Sequence, residues 1–181
     1  MVWIDESGVK INTDKAWDGN EKGYADITVD GDLKDKISSN EGNISSATPG
    51  WYLMIVTATV EGRDIKYNVQ FNEPNVWLTG SCIGDSSYGE LNEAGKFEVP
   101  TTQDGDFVSP AITDACPGGD DGDGVRVYVK IPGNDWWHSE FLLEGDKISY
   151  RGAGGDQKPR LACAVGQKMY LNFSTGKGSL K

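Results

Sequence analysis

The chain has three cysteines and one histidine among its 181 residues. Cys82, Cys116 and Cys163 are too few and too scattered for a disulfide scaffold, and none forms a CxxC pair. Free thiols are the expectation, with a single bridge as the alternative. His138 lies far in sequence from every cysteine, so the four-ligand spacing of a zinc site is missing. Basic residues are also scarce. Lys plus Arg number 17 against 28 Asp plus Glu, a net charge of -11, which repels phosphate backbones and anionic lipid surfaces. Nucleic acid is therefore not an expected partner.

No apolar run approaches the roughly 20 residues that cross a bilayer, and the opening MVWIDESG has neither the basic nor the apolar region of an export signal. Met1 is followed at once by strand-like sequence, which reads as an expressed fragment whose natural start, with any signal, lies elsewhere. Catalytic patterns are missing too: no GxSxG, HExxH or P-loop occurs. A glycosidase needs two carboxylates across a cleft, and the acidic residues here sit on no recognisable framework. The GGDDGDGV stretch, with Asp120, Asp121 and Asp123 after Asp114, bunches hard oxygen ligands. It lacks the twelfth-position Glu and the flanking helices of an EF-hand, so it reads as an acidic solvated loop. No metal or cofactor is called for.

What the chain does have is punctuation: 24 glycines and 7 prolines separate short segments rich in Val, Ile, Thr and aromatics. No long helix is visible. IKYNVQF puts Ile65, Tyr67, Val69 and Phe71 on one face and Lys66, Asn68 and Gln70 on the other, the period of a half-buried strand. WYLMIVTATV is apolar on both faces and reads as a central strand. VRVYVKI sets Val125, Val127, Val129 and Ile131 against Arg126, Tyr128 and Lys130. This pattern predicts an all-β protein of antiparallel sandwiches.

Internal similarity suggests two of them. VWIDESG at Val2 resembles VWLTGSC at Val76, DKIS occurs at Asp35 and again at Asp146, and each unit then runs through a glycine, Gly50 or Gly166, into a further strand. Trp3 and Trp77 open the matching segments as core or interface residues. Pro74 in FNEPNVW marks the junction near residues 72–75, giving a small first unit, 1–73, and a second, 74–181.

The order YNVQFNEPNVWLTG, then VYVKIPGNDWWHSEFLLEGDKISYRGAGGDQ, then GQKMYLNFSTGKG resembles the starch-binding modules of SusE- and SusF-type outer-membrane lipoproteins. The likeness covers most of residues 75–181 and, more loosely, 31–71. It implies immunoglobulin-like and carbohydrate-binding β-sandwiches, a lipid anchor at the surface of the outer membrane, neighbouring glycan-uptake proteins as partners, and α-glucan held without cleavage. One departure stands out. Modules of that family often carry a tryptophan in the loop after the first strand, whereas this chain has GSCIGDSSYGE, with Tyr88 as the nearest aromatic.

A pyranose offers apolar faces for aromatic rings and a hydroxyl rim for polar side chains. Trp136 or Trp137 with Tyr88 supplies the platform, and Lys130, Arg151, Asp156 and Asn172 the rim. If the turn at residues 132–135 leads into a strand, alternation sends one of the adjacent indoles into the core and the other to the surface beside Lys130. The blander alternatives are a core Trp pair, a turn tyrosine, a solvated Lys130, and a YRGAGGDQ hairpin loop whose Arg151 pairs with a carboxylate. In the first unit nothing matches DWWHSEF, so no equivalent site is expected there.

Overall fold

The computed structural model describes residues 1–119, 123–152, 155–156 and 160–181. Of the acidic loop, Asp120 and Asp121 lie outside the described residues. The chain divides into two compact units, Met1–Pro74 and Asn75–Lys181. Both are built from strands, and the helical pieces among the described residues are 3-10 turns of three or four residues.

The first unit contains β1 (Val2–Ile4), β2 (Ile27–Asp30), β3 (Ile37–Asn40), β4 (Asn43–Ser46), β5 (Gly50–Glu61) and β6 (Asp64–Asn72). Four of them form a sheet in the order β1-β5-β6-β2, and β3 pairs with β4 as a separate hairpin. The chain leaving β1 changes layers: Asp5 accepts the Ser46 N–H at 2.9 Å, and Val9 exchanges backbone hydrogen bonds with Ile44. Between the layers lie Ile4, Ile37, Ile44, Tyr52, Val69 and Phe71. The doubly apolar β5 is an interior strand, as its sequence predicts. Val69 and Phe71 of β6 are buried with their face, but Ile65 and Val60, at the far end of the β5–β6 hairpin, are exposed because the hairpin outruns the core. One pairing departs from the antiparallel expectation. β2 runs parallel to β6, a direction made possible by the long crossover through β3, β4 and β5 that separates them.

The second unit contains β7 (Trp77–Thr79), β8 (Phe107–Val108), β9 (Arg126–Tyr128), β10 (Glu140–Glu144), β11 (Lys147–Tyr150), β12 (Met169–Asn172) and β13 (Lys177–Leu180), in the order β7-β9-β10-β11-β13-β12-β8. Segment 96–98 bridges both end strands, Lys96 to Trp77 and Glu98 to Val108, so the sheet closes on itself. Leu78, Phe107, Val127, Met169 and Leu171 fill the interior. The β12 alternation holds, with Met169 and Leu171 buried and Tyr170 and Asn172 half-exposed. In β9 the alternation fails at Tyr128, which is fully buried on the face expected to meet solvent. Loop 80–91 and the turn carrying the tryptophan pair cover that face, and they make the site.

The cysteines also depart from the expectation of free thiols. Cys116 and Cys163 form a disulfide across an antiparallel bridge, with Cα atoms 5.2 Å apart, while Cys82 is free and buried.

Candidate functional site

The GNDWWHSEF stretch opens with the expected turn: Asn134 N–H donates to the Ile131 carbonyl at 3.1 Å, and Gly133 takes φ +80°, a left-handed conformation that glycine adopts without strain. The chain beyond this turn is not yet a strand. Trp136–Ser139 form one 3-10 turn that leads into β10, held by His138 N–H donating to the Asp135 carbonyl and by the buried Ser139 hydroxyl donating to the carbonyls of Trp136 and Val129. This corrects the in-and-out reading of the two indoles. Side chains on a 3-10 turn step by about a third of a revolution rather than a half. Trp136 and Trp137 are accordingly both half-buried, and both line one pocket.

Loop 80–91 brings Tyr88 to the same place. Its ring lies against Gly80, where a Cβ would sit 2.5 Å from the Tyr88 ring, and Gly80 itself takes φ +87°. Tyr88 and Leu91 are non-glycine residues with positive φ, 55° and 57°. Such backbone persists where surrounding contacts fix it. Here the contacts are Asp85 accepting from Ser87 and Gly89, Leu91 N–H donating to the Tyr128 hydroxyl at 2.6 Å, and the Tyr88 hydroxyl donating to Asp123 at 2.5 Å. Burial, and then the Asp123 carboxylate, raise the Tyr88 phenol above its ordinary pKa. Glu90 ties the loop to the Trp turn, accepting from Trp136 N–H at 2.7 Å and from the Lys130 ammonium at 2.5 Å.

The aromatic rings form a column from core to pocket. Trp77 stacks on Tyr128 at 5.7 Å, Tyr128 meets Trp136 at 6.0 Å, and Trp136 lies nearly parallel to Tyr88, 9° between planes with centroids 6.0 Å apart. The Arg126 guanidinium sits 5.6 Å from both the Tyr88 and Trp136 ring centres, and that of Arg151 sits 5.3 Å from Trp137. These residues, with Gly155 and Asp156, line an open pocket of about 710 Å³.

Beneath the rings lies an ion cluster. Arg126 grips Asp156 with two hydrogen bonds, at 3.1 and 3.0 Å, and the fully buried Glu140 accepts from Arg126, Arg151 and Arg160. The Arg126 guanidinium, helped by Arg160, holds the Asp156 carboxyl down at about 2 against the opposing effect of burial. Three guanidiniums against two carboxylates leave one positive charge in excess, with every guanidinium already engaged by a carboxylate. The arrangement can offer flat apolar faces and fixed ionic hydrogen-bonding groups to a ligand that carries no strong charge of its own.

Five of the seven residues singled out from the sequence meet here: Tyr88, Trp136, Trp137, Arg151 and Asp156. Lys130 does not line the pocket. Its ammonium is bound to Glu90 and to the Asn134 carbonyl, so it braces the Trp turn from behind. Asn172 lies elsewhere, in a smaller polar depression with Tyr170 and Lys177, donating to the Asp104 carbonyl and Asp106 carboxylate. Sequence reasoning missed Arg126, although VRVYVKI placed it on the face of Tyr128 and Lys130. It also missed Glu140 and Arg160, for which no local signal existed because they meet through tertiary pairing.

A β-sandwich with an open pocket of aromatic faces and fixed polar side chains defines the class of carbohydrate-binding modules. The chain belongs to the SusF/SusE family of starch-specific carbohydrate-binding modules, whose family model matches residues 1–68 and 75–179. It is 37% identical over 182 aligned positions to outer membrane protein SusF of Bacteroides thetaiotaomicron, an alignment covering 96% of this chain and 34% of the relative. The crystal structure of SusF from Bacteroides thetaiotaomicron matches with a TM-score of 0.73 at 36% identity, over 90% of this chain and 35% of that one. The chain thus spans about a third of the relative's length.

Proposed function

We propose that the second unit is a non-catalytic glycan-binding module that holds a starch-like α-glucan at Tyr88, Trp136 and Trp137. In this reading the chain belongs to a surface lipoprotein of the outer membrane that serves a glycan-uptake system. The observation that carries it is the near-parallel alignment of Tyr88 and Trp136 beside a pocket that Trp137 also borders. Aromatic faces spread around one opening suit a curved chain of neutral sugars, and the ion cluster supplies hydroxyl partners. Family membership and the likeness to SusF support the same reading.

Affinity electrophoresis against amylopectin, pullulan, xylan and a soluble β-glucan tests it. Retardation by amylopectin or pullulan is expected, without release of reducing sugar. Retardation by xylan or the β-glucan alone would keep the site and change its sugar; uniform mobility would make the unit a structural spacer; turnover of the retarding glycan would make it an enzyme. Trp136→Ala and Trp137→Ala are each expected to lose roughly 1 to 3 kcal/mol of binding, about 5-fold to more than 100-fold in affinity by calorimetry.

A further inference from the structure

We propose, resting on the glycan-binding reading above, that Glu140 is a positioning residue for that binding: a buried carboxylate that holds two guanidinium planes of the pocket against their aromatic rings without reaching the ligand. Glu140 is 0% exposed. An ionised carboxylate at such depth is strongly disfavoured unless it is fully paired. It is: Oε1 accepts from Arg160 at 2.6 Å and Arg126 at 3.4 Å, and Oε2 accepts from Arg151 at 2.6 Å and Arg160 at 3.3 Å.

These arginines come from three separate pieces of chain: β9, the residue after β11, and the segment that pairs with Gly119. Strand register brings two of them to one face: Glu140 lies opposite Tyr128 of β9, with Arg126 two residues away on the same face, and its carbonyl accepts the Arg151 N–H at 2.9 Å. The shared carboxylate then sets how the two guanidiniums are turned. A guanidinium is a rigid planar fork, so fixing its donors fixes the plane it presents to a ring. Arg126, held through one nitrogen by Glu140 at 3.4 Å and through two by Asp156, faces Tyr88 and Trp136, and Arg151 faces Trp137. Asp156 shares the three arginines, but its side chain is 46% exposed and lines the pocket, so it is open to a sugar hydroxyl. Glu140 is the group that holds them when Asp156 is engaged. It is also the residue directly after the turn bearing both indoles, so one short stretch sets rings and guanidiniums together. Long side chains without such an anchor lose rotamer freedom on binding, and affinity falls accordingly.

The test uses the whole chain, with maltoheptaose titrated calorimetrically into folded protein and folding followed by near-ultraviolet circular dichroism and thermal unfolding. Glu140→Gln is expected to weaken maltoheptaose binding at least tenfold and to alter the tryptophan band. Glu140→Asp keeps the charge but withdraws the carboxylate by one methylene; a threefold to tenfold loss is expected, and this variant decides the matter if the Gln variant does not fold. Met169→Ala, in the interior of the same unit and outside the ion cluster, should lower the unfolding temperature while binding stays within twofold. A folded Glu140 variant that binds within twofold of wild type overturns the proposal, as does a Met169→Ala loss equal to that of Glu140→Gln. A wild-type chain that binds neither maltoheptaose nor any α-glucan overturns the proposed function itself, and this inference with it.

Discussion

In the Met1–Pro74 unit the aromatic rings meet edge to face: Trp3 and Trp51 at 77° and Tyr52 and Phe71 at 84°. In the Asn75–Lys181 unit, Phe107 and Phe173 do the same at 86°, yet Tyr88 and Trp136 at the pocket are 9° from parallel. Edge-to-face contact is a favoured way for rings to pack, because the electron-rich face of one meets the electropositive edge of another. Stacking is not confined to the pocket: the buried Trp77 and Tyr128 lie 24° from parallel, and Tyr128 in turn meets Trp136, so the second unit carries a stacked column from its core to the pocket. The difference between the units extends to charge. The first unit's core is apolar, whereas the second buries Glu140 and Arg160 behind its rings.

Four experiments probe whether the two units divide their labour in this way. Phe71→Ala should cost the first unit about 3 to 5 kcal/mol in denaturant unfolding while glucan affinity stays within twofold, since the ring serves packing alone. Reduction of Cys116–Cys163, a loop of 47 residues, should destabilise the second unit by up to about 4 kcal/mol on chain-entropy grounds and leave the first unit's transition in place, read by urea titration with and without reductant. The third concerns pH. The Asp156 carboxyl is held below its unfolded value, to about 2, so its contribution is present above roughly pH 4 and is lost as pH falls from there toward 2. Binding and stability should both decline in that window, and Asp156→Asn should flatten the decline. The smallest effect belongs to Asn172→Ala, which lies outside the pocket and should leave maltoheptaose affinity within twofold.

Much of the all-β class was legible because alternation at period 2 survives wherever a strand has one wet face, as in the β12 residues Met169 to Asn172. The parallel β2–β6 pairing was not, because the direction of a neighbour is set by crossovers that no single strand encodes. At the site, the aromatic residues were visible as unusual neighbours in sequence, but their arrangement was not. The 3-10 turn at Trp136 is held in part by the Ser139 hydroxyl reaching the Val129 carbonyl, and Glu90 captures the Trp136 N–H from a distant loop, contacts that no local pattern announces. Lys130 was misjudged for the same reason: its partner Glu90 belongs to that loop. Glu140 carried no signal, since a glutamate opening a strand reads as solvated until three arginines converge on it.

The closure of the second unit's sheet by segment 96–98 bears on life in company. An open end strand presents unpaired backbone donors and acceptors, a template on which another chain can add a strand. Units tethered in series meet at effective concentrations that reach the millimolar range for short linkers, where even weak strand exchange would be populated. Phe97 N–H donating to the Val76 carbonyl at 2.9 Å, and Glu98 and Val108 exchanging bonds at 2.8 and 3.1 Å, occupy backbone groups of both end strands. A few residues of irregular chain thus guard a sticky β-unit against its neighbours.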